Sequence, residues 1–142
     1  MMNANIKKMW LAALRSGQYQ QGKESLKTEE GKFCCLGVLC DISRLGKWED
    51  ATLGTDKWYT IRGKAGTLLE QNGTVLPEAV RRLAGLKSAN PVIVMAPPGF
   101  LAEEARTGTI SPSTSSFSAS LAALNDFGNS FEAIADIIEN EL

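Results

Sequence analysis

All three cysteines of this 142-residue chain, Cys34, Cys35 and Cys40, fall within the run Phe33-Cys34-Cys35-Leu36-Gly37-Val38-Leu39-Cys40-Asp41. Clustered thiols do two kinds of chemistry, metal ligation and thiolate reactivity, and histidine is the usual partner in both. The chain contains no histidine. Structural zinc takes four ligands, and this cluster offers at most three thiolates with Asp41 as a fourth. Cys35 and Cys40 also stand about 140° apart on a helix of ~3.6 residues per turn, so they do not converge on one ion. Buried free thiols are the better reading, with neither a metal nor a cofactor expected. The missing histidine also removes a Ser-His-Asp triad and a Cys-His dyad. No catalytic residue is assigned.

Carboxylate or lysine chemistry survives that elimination. Asp41, Asp126 and Asp136 sit in apolar stretches, where partial burial raises a carboxyl pKa. Each has a structural alternative: Asp126 in an interhelical turn with Asn125, Asp136 on an exposed helix face, Asp41 paired with an arginine or capping a backbone group. Asp41, Asn125 and Asp126 are kept as ligand-binding candidates. Gly63-Lys64-Ala65-Gly66-Thr67 has the small and basic residues that cradle anions, without the full P-loop spacing, and reads equally as a connection. Arg62, Lys64, Arg81 and Arg82 form a basic surface if their elements meet, with Trp58 and Tyr59 beside it as stacking faces. A guanidinium fork next to an aromatic platform suits a nucleotide. Solvated charges and half-buried aromatics are the alternative.

Residues 121 to 135 imitate a helix-turn-helix through Leu121, Leu124, Gly128 and Phe131. Asp136, Glu139 and Glu141 make the last helix acidic, so phosphate would repel it and DNA is not an expected partner. Fifteen basic and sixteen acidic residues leave a net charge of -1, which gives no broad field for nucleic acid or anionic membrane. No apolar run approaches the roughly 18 residues that span a bilayer, and no signal-peptide pattern follows the first lysines. The odd cysteine count argues against a disulfide framework and for a reducing cytoplasm.

The elements that must position these residues follow from periodicity. Ile6, Met9, Trp10, Ala13 and Leu14 predict a first helix, capped by Asn3 or Asn5 and stopped at Gly17. Residues 18 to 35 predict a hairpin turning at Glu29-Glu30-Gly31. From Cys35 to Leu45 the apolar positions are too dense for a surface helix and predict a buried central one, ended by Gly46, with Gly37 allowing close packing. Residues 46 to 66 read as loop with one short strand at 58 to 62. Asn72-Gly73 predicts a two-residue hairpin between 67–71 and 74–76. Leu76-Pro77 opens a helix with Val80, Leu83 and Ala84 inward, Arg81 and Arg82 outward, and Gly85 as its stop. Residues 91 to 95 predict a buried strand. Residues 96 to 116, rich in Pro, Gly, Ser and Thr, predict a long loop, with a helical turn at 100 to 106 as the alternative. Phe117, Leu121 and Leu124 predict one closing helix. Phe131, Ile134, Ile137 and Ile138 predict another, with Asn129 and Glu132 at capping-box spacing. The fold class is α+β: one domain of four to five helices on a small, mainly antiparallel sheet.

The nonapeptide at 33–41, Leu76-Pro77 with Val80 and Gly85-Leu86, and Leu121, Leu124-Asn125-Asp126, Gly128, Ser130-Phe131 and Ile134-Ala135-Asp136 resemble a group of small proteins from bacteriophage and bacterial genomes. The resemblance covers most of the chain in order, although 96–116 is longer and richer in Ser and Thr than the group leads one to expect. It carries over no catalytic residue. Many phage accessory proteins antagonise host defence, so it implies a phage-encoded, non-enzymatic protein in the host cytoplasm that sequesters a small nucleotide-like signal under a lid at 96–116. The alternatives are an inhibitor that binds a host defence protein and a histidine-independent enzyme acting on a nucleotide. Homo-oligomerisation is compatible with each.

Overall fold

The computed structural model describes residues 2–51, 56–95 and 117–142. The loop and lid expected at 96–116, and the helical turn at 100–106, lie outside the described residues. Within them, five α-helices pack with antiparallel sheet in an α+β fold around one hydrophobic core.

Helix α1 (Ala4–Arg15) begins where the Asn3 side chain accepts from the Asn5 and Ile6 N–H groups, and Gly17 beyond it has φ +77°. Its inner face is Trp10, Leu11 and Leu14, while Met9 is 49% exposed, against expectation. Helix α2 (Cys35–Ser43) is the buried centre, with every residue from Cys35 to Cys40 inaccessible. Side chains all round it touch protein, so its apolar residues carry no single-face period. It stops at Ser43, before Leu45, because Arg44 takes the left-handed conformation at φ 57°. Trp10 Nε1 donates to the Cys35 carbonyl at 2.9 Å and fixes α1 on α2.

The expected hairpin at 18–35 is a loop instead. Thr28 and Lys32 do close a turn, but the segment holds only isolated bridges, Gln21 and Lys27 each to Phe33 and Lys27 to Lys57. Its polar side chains give no alternating face to bury, and so no ladder. Gly37 lets this loop lie directly on α2: a Cβ there would stand 1.8 Å from the Leu26 carbonyl oxygen.

Strands β1 (Lys47–Asp50), β2 (Lys57–Arg62) and β3 (Leu68–Asn72) make a three-stranded antiparallel sheet in that order. Strand β1 was not expected, and the partner of β3 is β2 rather than residues 74–76. Asn72 instead turns its side chain to accept from the Thr74 and Val75 N–H groups. Helix α3 (Glu78–Ala84) follows Pro77, stops at Gly85 (φ 72°) and leaves Leu83 38% exposed. The Glu70 carboxylate caps it from β3, accepting from the Glu78 and Ala79 N–H groups at 2.5 and 2.9 Å.

Strands β4 (Val92–Met95) and β5 (Phe117–Ser120) pair in a second antiparallel sheet. Phe117 therefore opens a strand rather than a helical stripe. Helices α4 (Leu121–Asp126) and α5 (Phe131–Glu141) close the fold, each N-capped by a serine, Ser120 and Ser130. Asn129 is not the cap of α5; its amide donates to the Leu124 carbonyl and binds the turn. Helix α5 lies along α1, joined by Arg15 to Asp136 and Glu139 at 2.7 and 3.2 Å.

Candidate anion-binding groove

In an antiparallel pair, residues opposite one another share a face. Lys47 stands opposite Thr60, and Glu49 opposite Trp58. Alternation then puts Lys47, Glu49, Trp58, Thr60 and Arg62 on the outer face of the sheet. Trp48, Tyr59 and Ile61 lie on the inner face, toward α2. The outer face carries a half-buried indole, two cations and one carboxylate over a Thr60 floor. Thr60 Oγ1 accepts from Gln71 Nε2 at 3.1 Å.

A groove of about 260 Å³ opens beside that face, lined by Arg44, Lys47, Glu49, Thr60, Arg62 and the backbone at 45–46. Arg44 is brought in by its left-handed turn at the end of α2, where a cation also complements the helix dipole. Arg62 is held by Glu49 through both carboxylate oxygens, at 3.0 and 2.9 Å, and by the Gly66 carbonyl at 3.1 Å. This pair holds the Glu49 carboxyl below its usual range and raises Arg62, in each case chiefly through their hydrogen bond. Arg44 and Lys47 make no ion pair among the described residues. The lining charges sum to +2: three cations against one carboxylate.

The sequence candidates divide around this groove. Trp58 and Arg62 share the outer face, as a nucleotide platform requires. Tyr59 does not join them, being 1% exposed on the opposite side, where its hydroxyl meets the Gly46 N–H and Ser43 Oγ. Lys64 stands exposed in a short 3-10 turn, Lys64–Gly66, which links β2 to β3. That turn is the glycine-containing segment 63–67, closed by Gly63 N–H to the Thr67 carbonyl at 2.7 Å, and it forms a hairpin connection. Arg81 and Arg82 lie on α3, outside the groove lining. Both bond the Glu78 carboxylate, and Arg81 also donates to the Leu86 carbonyl at 2.6 Å.

Asp41, Asn125 and Asp126 are tied into the fold. Asp41 accepts from the Tyr19 hydroxyl at 2.5 Å and from Trp48 Nε1 at 3.0 Å. Around it Tyr19, Phe33, Trp48 and Tyr59 stack edge to face in sequence, at centroid distances of 5.0, 5.7 and 4.8 Å. The Lys27 ammonium lies 5.0 Å from the Phe33 centroid and 5.5 Å from that of Trp48. Asn125 is fully buried and ties two segments to α4: its oxygen accepts from Gln21 Nε2 and the Cys35 N–H, and its amide donates to the Gly22 carbonyl at 2.7 Å. Asp126 accepts from the Glu24 N–H at 2.9 Å.

The thiols are buried and free. Cys34 caps α2 through its sulfur, and burial pushes its thiol up to about 11. Burial likewise raises Cys35 and Cys40 well above the ordinary thiol range. Among the described residues no group of three His, Cys, Asp or Glu side chains converges on a metal position. No described helix is long and apolar enough to cross a membrane.

Sequence reading missed Arg44, Lys47 and Glu49. The signal was the alternation Lys47-x-Glu49 facing Trp58-x-Thr60-x-Arg62, which becomes legible only once 47–50 is recognised as a strand.

Residues 2–142 match the family described as a domain of unknown function (DUF8296). Neither a curated protein nor a solved structure matches the chain.

Proposed function

The chain belongs to the DUF8296 family, and from that premise and the groove geometry we propose that it is a binding protein for a small anionic, nucleotide-like ligand. One observation carries the reading: Arg44, Lys47 and Arg62 line a groove on the same side of the sheet as the Trp58 indole. Cations that line an open groove supply the phosphate half of nucleotide recognition, and the Trp58 indole, on the same sheet face but outside the groove lining and against Gly73, is the candidate for the stacking half. Binding is favoured over catalysis because Asp41 and Asp126 are engaged by structural donors, and because the chain lacks histidine. In the phage setting implied by the sequence resemblance, such binding would serve to withhold a nucleotide signal from host defence.

The test is a thermal-shift and calorimetric screen against linear and cyclic nucleotides at low ionic strength. At least one nucleotide should raise the melting temperature and be recovered chemically intact, and the shift should fall in Lys47→Ala and Arg44→Ala. Absence of a shift with every nucleotide would sink the reading. Recovery of altered nucleotide would replace it with an enzymatic one.

A further inference from the structure

The Nε–Nη2 edge of Arg62 is already occupied. Its Nε and Nη2 meet the two oxygens of Glu49, and its Nη1 meets the Gly66 carbonyl. A guanidinium fork presents a planar pair of donors to one group bearing two oxygens, so it serves one such anion at a time. A ligand phosphate reaches this Nε–Nη2 edge by replacing the carboxylate, while one N–H on each of Nη1 and Nη2 stays uncommitted. The pair is open to water, its side chains being 43% and 34% exposed, so solvent screens part of what its bidentate geometry holds.

Resting on the ligand-binding reading above, we infer that Glu49 is an exchangeable internal counter-ion that gates the groove and selects for terminal phosphates. Glu49 closes the Arg62 fork in the free protein. A phosphomonoester, carrying about 1.5 to 2 negative charges, displaces it and is then held by Arg62, Arg44 and Lys47 together. A phosphodiester brings a single charge and merely replaces what Glu49 already supplied. The released carboxylate returns to water, and no covalent bond changes.

The experiment titrates AMP, with a terminal phosphate, and 3′,5′-cyclic AMP, with the same base on a diester, into wild type, E49Q, R62Q and E49Q/R62Q at low ionic strength. Wild type should bind AMP about threefold or more tighter than the cyclic form. E49Q should tighten AMP binding about three- to tenfold, the range set by losing one exposed competing charge. That gain should vanish when Arg62 is absent, leaving E49Q/R62Q equal to R62Q. A gain that persists without Arg62 would reduce Glu49 to a general repulsive charge and overturn the exchange. Weaker binding in E49Q, or a preference for the cyclic form, would overturn it as well. Binding by wild type with no gain in E49Q defeats the gate and leaves the ligand-binding reading standing. Silence from both wild type and E49Q defeats the two together. Both positions are at the surface, so matched melting temperatures verify that the variants are folded.

Discussion

Asp41 ties α2 to two other segments of the chain. Its two oxygens hold Tyr19 and Trp48, and Trp48 lies in β1 between Lys47 and Glu49 of the groove. The residue stood out in the sequence as the one charge in an apolar run, but its partners did not, since Tyr19 and Trp48 come from segments that meet only in the fold. Burial, and then the Asp41 contact, pushes the Tyr19 hydroxyl up to about 12 from an ordinary 10.0. The sign follows from linkage: the folded state holds this proton more tightly, so its stabilisation is complete below pH 10 and is lost as pH rises toward 12. Asp41→Asn should lower stability by about 1–3 kcal/mol in urea denaturation, from weakened hydrogen bonds to a charged acceptor. It should also move the Tyr19 titration toward 10, read by tyrosinate absorbance. An unchanged titration would show that burial alone sets the shift.

Among the elements, α2 was the most legible and β1 the least. Six consecutive buried residues make α2 unmistakably internal, and the density of apolar side chains in the sequence already said so. Strand β1 has only four residues, with Trp48 its one large apolar side chain, so alternation had too little length to register. Helix α3 was visible through its Pro and Gly boundaries, yet its carboxylate cap comes from Glu70, on another element. Gly37 shows how an element is held by its surroundings. With 1.8 Å between a hypothetical Cβ and the Leu26 carbonyl, Gly37→Ala must push the 20–33 loop off α2. The expected cost is about 3 kcal/mol, at the upper end of ordinary overpacking, measured by chemical denaturation. A near-neutral Gly37→Ala would mean that the loop yields freely.

Across the described residues, one core links the five helices to the sheets, and α2 threads its centre. The thiols report on that core. All three are inaccessible, and burial raises each of them. A disulfide-exchange reagent near pH 8 should therefore find no reactive thiol in the native protein and three after denaturation, with labelling paced by global opening. Rapid labelling of one thiol in the native state would reveal local opening at α2. The groove of Arg44, Lys47, Glu49 and Arg62 lies instead on an exposed face, where charge rather than packing sets the arrangement.

The fold class, the buried character of residues 35–40, the boundaries of α1 and α3 and the impossibility of histidine chemistry were all legible in the amino-acid order. Those follow from composition and local periodicity, which are properties of short stretches of chain. Which charged residues share a surface came from the assembled fold. It separated Tyr59 from Trp58, left Arg81 and Arg82 outside the groove that Arg62 lines, and assembled Arg44, Lys47 and Glu49 beside Arg62. The reason is physical: strand register and the turn at Arg44 set those neighbours, and both depend on pairing between segments distant in sequence.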